Sequence, residues 1–114
     1  MQFLEAVIVG NIDEAYEKHV DMRGRHHNAF TPAGFLALRD GMKDAHVKFP
    51  HKQFAIQHVV GDGDLVAVHS RLVLEEGKAP MAVVHLFRFE GDKIVELWDI
   101  GQPIANSQNS DGAF

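Results

Sequence analysis

The chain has 114 residues, 46% hydrophobic and 24% charged, a balance typical of a globular domain and unlike that of a disordered one. Its formal charge of −5 comes from 16 acidic and 11 basic residues. The basic ones are scattered along the chain, so nucleic acid is not an expected partner. The absence of cysteine removes disulfides, thiolate metal sites and a cysteine nucleophile.

The apolar start "MQFLEAVIVG" is interrupted by Glu5 and lacks a positive leader. It is too short for a membrane span or a secretory signal, so no membrane partner and a cytoplasmic location are expected. Phe3, Leu4, Val7 and Ile8 recur at helical spacing, and Gly10 ends that helix. Asn11, with Glu14 three residues later, predicts a capping box at the start of a second helix through "IDEAYEKHV". "DMRGRHHNAF" has the composition of a connection. Thr31-Pro32 predicts the start of a third helix. Its apolar stripe is Phe35, Leu36, Leu38, Met42, Ala45 and Val47, and Pro50 helps to end it.

From Lys52 the period becomes two. "QFAIQHVV" and "LVAVHSRLVL" flank Gly61-Asp62-Gly63-Asp64, a strong hairpin signal. With Asp62 and Gly63 as the loop, Ile56 falls opposite His69 and Ala67 opposite His58. A second hairpin, "MAVVHLFRFE" and "KIVELWDI", turns at Gly91-Asp92. Its strands are apolar on both faces, which predicts helices on one side and a second copy of the chain on the other, a homodimer through the outer sheet face. The expected fold is a single α+β domain over residues 1–114. Its curved antiparallel sheet forms a cone, with the N-terminal helices packed on the concave face around a pocket and a tail from Ile104 to Phe114.

"HHN" at 26–28, "GDLVAVHSR" at 63–71, "HLFRFEGDKIVELWDIGQ" at 85–102 and the closing "NSDGAF" together resemble the recurring signatures of SnoaL-like proteins. These are polyketide cyclase-like members of the nuclear-transport-factor-2-like superfamily. The resemblance implies a curved-sheet cone, usually dimeric, and intramolecular aldol chemistry without metal or organic cofactor. It also implies an acid–base aspartate on the last long strand, here Asp99, with a histidine on the preceding strand, here His85. Two positions depart from the pattern. Leu97 stands where the common "E-H-W-D" has histidine, and Ala29 stands where "H-N-P" has proline. The loss of a pocket histidine implies altered polarity and substrate.

Proton abstraction beside a carbonyl needs a base within reach of the carbon and a donor for the enolate oxygen. Asp99, between Trp98 and Ile100, has an apolar sequence setting that favours its neutral form, and His85 or His69 is the candidate donor. His27, Asn28, Trp98, Leu97, Phe87 and Gln102 are the candidate ligand contacts, although of His26 and His27 only one can face a pocket. Whether His85 and Asp99 share a face depends on the Gly91 turn. A two-residue loop places His85 opposite Trp98, so that Asp99 faces away, and a three-residue loop, Glu90 to Asp92, pairs Phe89 with Lys93 and places His85 and Asp99 together on one face. An outward Glu96 favours the second arrangement.

Alternatives remain at each site. Asp99 could instead pair with Arg71 or Arg88 as a structural partner. No H-E-x-x-H or H-x-H pair occurs among the eight histidines, so no metal is expected, and the remaining metal alternative is a site assembled from His58, His69 and His85. The expected function is that of a cofactor-independent enzyme acting on a small, mostly apolar carbonyl compound by aldol-type cyclisation or isomerisation. The alternative is a non-catalytic binding protein for a small hydrophobic ligand.

Overall fold

A computed structural model describes residues 1–104, 108–109 and 112–114. The elements run α1 (Gln2–Ile8), α2 (Ile12–His19), β1 (Val20–Asn28), α3 (Phe35–Lys48), β2 (Gln53–Asp62), β3 (Leu65–Val73), β4 (Met81–Glu90) and β5 (Lys93–Pro103). The strands form one open sheet in the order β1-β5-β4-β3-β2, and the helices pack against one face of it. The core between the two layers gathers Phe3 and Leu4 of α1, Ile12, Ala15 and Tyr16 of α2, and Phe35 and Leu38 of α3. From the sheet it takes Val68, Phe87, Ile94 and Leu97. The architecture is α+β, as the sequence predicts. Among the described residues no helix is long and apolar enough to cross a membrane. Residues 105–107 and 110–111 of the tail, and with them part of "NSDGAF", lie outside the described residues.

Several local expectations are corrected. "DMRGRHHN" is not a connection but most of β1, which runs parallel to β5 and makes the sheet mixed. Its pairing partner lies some seventy residues further along the chain, so no local alternation marks it. The capping box is not made: Asn11 is the N-cap without a side-chain bond. Its amide already donates to the Ala6 carbonyl at 2.9 Å, leaving nothing for Glu14 to accept. α3 starts at Phe35 rather than Thr31, and the Pro32 carbonyl instead meets His26 Nε2 at 2.8 Å. Leu36 and Val47, assigned to its apolar stripe, are exposed.

Both hairpins turn on glycine. Asp62 pairs with Leu65, so Gly63 (φ 60°) and Asp64 form the first loop, one residue later than predicted. An Asp62-Gly63 loop of the usual type would require positive φ at both residues, whereas Gly63-Asp64 asks it only of glycine. The shift, with a bulge between Ile56 and His58, places Ile56 opposite Ser70 and His58 opposite His69. The second loop is the two residues Gly91-Asp92, with Glu90 opposite Lys93. Phe89 then pairs with Ile94 but Arg88 pairs with Glu96, so Val95 is the extra residue of a β-bulge. Past that bulge His85 lies opposite Asp99, so the two share a face, as a three-residue loop would also have arranged, although the loop itself has two residues.

Candidate active site

Beneath the helices the inner sheet face carries a cavity of about 270 Å³. Its walls are apolar: Leu4, Val7 and Ile8 of α1, Met42 and Ala45 of α3, and Phe54, Leu72, Leu74, Met81 and Val83 from the sheet side. Asn28, Lys52, His85 and Asp99 supply the polar side chains. Phe30 stands on the rim and is 91% exposed.

Asn28, Asp99 and His85 sit side by side because β1, β5 and β4 are neighbours and all three residues fall in one row of the ladder. Asn28 Nδ2 donates to Asp99 Oδ2 at 3.0 Å. The Phe30 amide donates to Asn28 Oδ1 at 2.8 Å, which fixes the amide so that its NH₂ group faces the carboxylate. His85 Nε2 lies 3.3 Å from Asp99 Oδ1. The His85 ring is buried, and its Nδ1 has no hydrogen-bond partner among the described residues. Asp99 is partly open to the cavity, with 24% of its side chain exposed. Its apolar surroundings are the cavity walls; Trp98 and Ile100, on which the sequence reading relied, alternate to the opposite face. Neither arginine offered as a structural partner reaches Asp99. Arg88 pairs with Glu96 and Glu90, and Arg71 lies over the Phe114 ring.

The other predicted site residues disperse. His69 is on the outer face, where its ring stacks on His58 (centroids 5.4 Å apart, planes 3° apart) and its Nε2 meets the Ala113 carbonyl at 2.7 Å. It therefore cannot donate into the cavity with His85. The same separation dissolves the metal site imagined from His58, His69 and His85, and among the described residues no group of three or more potential metal ligands exists. Of the adjacent histidines it is His26 that faces inward and is buried. His27 lies outward, stacked on Trp98 at 4.9 Å. Gln102 shares that outer face in the register of Trp98 and Ile100. Leu97 and Phe87 point inward but are core, at 1% and 0% exposure, and do not line this cavity. The substitution at Leu97 thus changes the packing below the site rather than its wall.

Glu96 lies on the outer face, as expected, but is buried. Its carboxylate accepts from Arg25 Nε (3.0 Å) and Arg88 Nε (3.1 Å) and meets His27 Nε2 at 2.7 Å. The His27 contact foremost, with the two arginines, holds its pKa below the ordinary value. Two residues near the cavity were missed by sequence reasoning. Tyr16, buried under α3, donates its hydroxyl to Met42 Sδ at 3.1 Å, and burial pushes its pKa upward, with the charge of Asp99 adding to the effect. Lys52, which the sequence marks only as the start of the period-two segment, borders the cavity, and desolvation lowers its pKa.

The sequence matches the SnoaL-like domain family over residues 2–97. The chain belongs to that family. The matched segment ends two residues before Asp99. Solved structures agree on the fold. Wild-type IdmH from Streptomyces antibioticus, a candidate polyketide cyclase, is 22% identical, with TM-score 0.71 over 86% of this chain and 85% of that one. A candidate polyketide cyclase from Acidithiobacillus ferrooxidans is 22% identical, with TM-score 0.70 over 89% and 83%. An uncharacterised cystatin-fold protein from Novosphingobium aromaticivorans is 20% identical, with TM-score 0.72 over 86% and 91%. No curated protein matches the chain. At these identities the structural likeness establishes the fold and not the reaction.

Proposed function

We propose that this SnoaL-like protein is a cofactor-independent enzyme that removes a proton beside the carbonyl of a small, mostly apolar compound, leading to aldol-type cyclisation or isomerisation. The observation that carries the reading is the row Asn28–Asp99–His85 on the wall of an otherwise apolar cavity. Asn28 occupies one carboxylate oxygen, leaving the oxygen beside His85 as the base. The C–H bond breaks toward that oxygen and its electrons pass into the enolate. His85, the adjacent donor, is placed to stabilise the enolate oxygen. In the aldol case the enolate carbon then attacks a second carbonyl, and the resulting alkoxide recovers the proton from Asp99. The cavity walls and the exposed Phe30 suit an apolar ligand, since covering a phenylalanine returns on the order of 1.5–3 kcal/mol.

The test is solvent exchange. Simple aryl and cyclic ketones, whose uncatalysed exchange is slow, are incubated in D₂O with the protein and followed by proton NMR. Deuterium should enter the carbon beside the carbonyl, and Asp99→Asn should slow the entry about 10²–10⁴-fold while ligand binding persists. Equal exchange by the variant would reject Asp99 as the base. The binding-protein reading draws on the same apolar walls. It predicts stoichiometric ligand retention with no exchange at all.

A homodimer through the outer sheet face belongs to the same proposal. Ile100 is 56% exposed in the middle of that face, beside partly exposed Trp98, Leu86 and Val84, an arrangement that a second sheet would cover.

A further inference from the structure

We propose that Lys52 binds an anionic oxygen of the ligand on the β2 side of the cavity, so that the natural ligand is an acid. Such a ligand is an apolar body carrying one carboxylate, or a comparably ionised oxygen, in addition to the reacting carbonyl. The inference deepens the proposed function and rests on it only for the carbonyl.

The placement comes from the strand pattern. Phe54 and Ile56 of β2 face inward, opposite Leu72 and Ser70, and Lys52, two residues before Phe54, continues that face at the strand's entrance. It borders the cavity beside Phe54, Leu72 and Leu74. Asp99 borders it from β5, and β3 and β4 lie between. Three strand spacings of about 4.8 Å amount to about 14 Å along a flat sheet. Lys52 and Asp99, one of each sign, therefore enter the cavity from strands three spacings apart.

The amine is oriented and not neutralised. Its Nζ lies 3.0 Å from His46 Nδ1 on α3, and the other edge of that ring packs against Gly10 at the α1–α2 turn. Among the described residues no carboxylate lies within ion-pair distance of Lys52, whereas Lys43, on the exposed side of α3, reaches Asp13 at 3.0 Å. An ammonium has three donors; one serves His46, and the others have no acceptor among the described residues. Partial desolvation already disfavours its charged form, a cost that a bound anion would offset.

Binding of 2-naphthoate and of 2-naphthamide, which share an apolar body and differ in charge, tests this by calorimetry at pH 7 with the full chain. The wild-type protein should bind 2-naphthoate about tenfold or more tightly than the amide, and the preference should shrink as salt is added. Lys52→Met should abolish the preference with little change in amide affinity, Lys52→Arg should keep most of it, and Lys43→Met should leave it intact. If Lys52→Met does not fold, Lys52→Gln carries the same prediction. Equal affinity for the two probes, a preference that survives loss of Lys52, or binding of neither probe would overturn the proposal. Asp99→Asn should retain the naphthoate preference, so a failure of the proton-abstraction reading is distinguishable from a failure of this one.

Discussion

His85 and Asp99 face each other across β4 and β5, Nε2 to Oδ1 at 3.3 Å, because Val95 takes up one extra residue between the Gly91 turn and the site. Without that bulge a two-residue turn would put every later side chain of β5 on the other face. The third member of the row, Asn28, is the one whose removal leaves this register untouched. Asn28→Ala should cost on the order of 1 kcal/mol of stability, since it removes a hydrogen bond to a carboxylate that is partly open to water. In the exchange assay it should lower the rate by up to about 10²-fold by releasing the carboxylate orientation. An unchanged exchange rate would show that Asn28 positions nothing.

Gly24 is tied to the same bulge. A side chain there would run into the Val95 carbonyl and the Phe35 ring, so β1 can approach β5 only with glycine at this point. The obstacle is backbone and cannot turn aside. Gly24→Ala should destabilise the protein by about 1–3 kcal/mol, read as a lower urea midpoint, and should weaken ligand binding because Asn28 arrives on the same strand. A neutral substitution would mean that β1 can part from β5 locally at no cost.

The sheet half of the fold was legible because β2 to β5 are joined by local hairpins whose alternation and glycine turns are printed in contiguous sequence. β1 was not, since Asp21–Gly24 breaks any alternation and its partner is remote. Asp99 was legible as a carboxylate inside an apolar strand, and its pairing with His85 was recognised as a matter of register. The bulge that settles it lies in "KIVELW", where nothing local distinguishes Val95 from its neighbours. Once the register was uncertain, so was the facing of Trp98, Leu97 and Gln102. His27 was misjudged for a different reason: one of two adjacent histidines had to face inward, and only the β1–β5 pairing says that it is His26.

Phe87 and Leu97 should behave as core residues and not as ligand contacts. Phe87 is fully buried, with its ring 5.8 Å from that of Phe3 in an edge-on arrangement. Phe87→Ala should cost about 3–5 kcal/mol and Leu97→Ala about 2–5 kcal/mol, measured by urea denaturation. The conservative Leu97→Met should cost less than about 1.5 kcal/mol and leave the relative affinities for 2-naphthoate and 2-naphthamide as in the wild type. A changed preference in Leu97→Met would put this position back in the ligand's reach.

The outer face gives a prediction about assembly. Ile100 is exposed there and its side chain makes no contribution to the cavity wall. Ile100→Lys should shift a dimer to monomer in sedimentation velocity while the monomer keeps its far-UV circular dichroism. If the wild-type chain sediments as a monomer at the concentrations used, the outer-face dimer is rejected directly.

Glu96 makes stability depend on pH in a direction that can be worked out. Its folded-state pKa lies below the ordinary value of 4.5, chiefly through His27 and further through Arg88 and Arg25. The unfolded chain therefore takes up the proton first as pH falls. The contribution of this cluster is full above about pH 4.5 and is lost as the pH drops through the depressed folded value. Asp21, held at about 2 by Arg23, titrates by the same logic, but it is common to a comparison with Glu96→Gln and cancels. Urea midpoints measured from pH 7 down to pH 3 should fall more steeply for the wild type than for Glu96→Gln, because the amide has no proton to take up. At pH 7 the variant should be the less stable protein, because the buried Glu96 position would no longer carry the charge that Arg25 and Arg88 pair with. Parallel curves would show that the cluster holds Glu96 no more strongly in the folded chain than water does in the unfolded one.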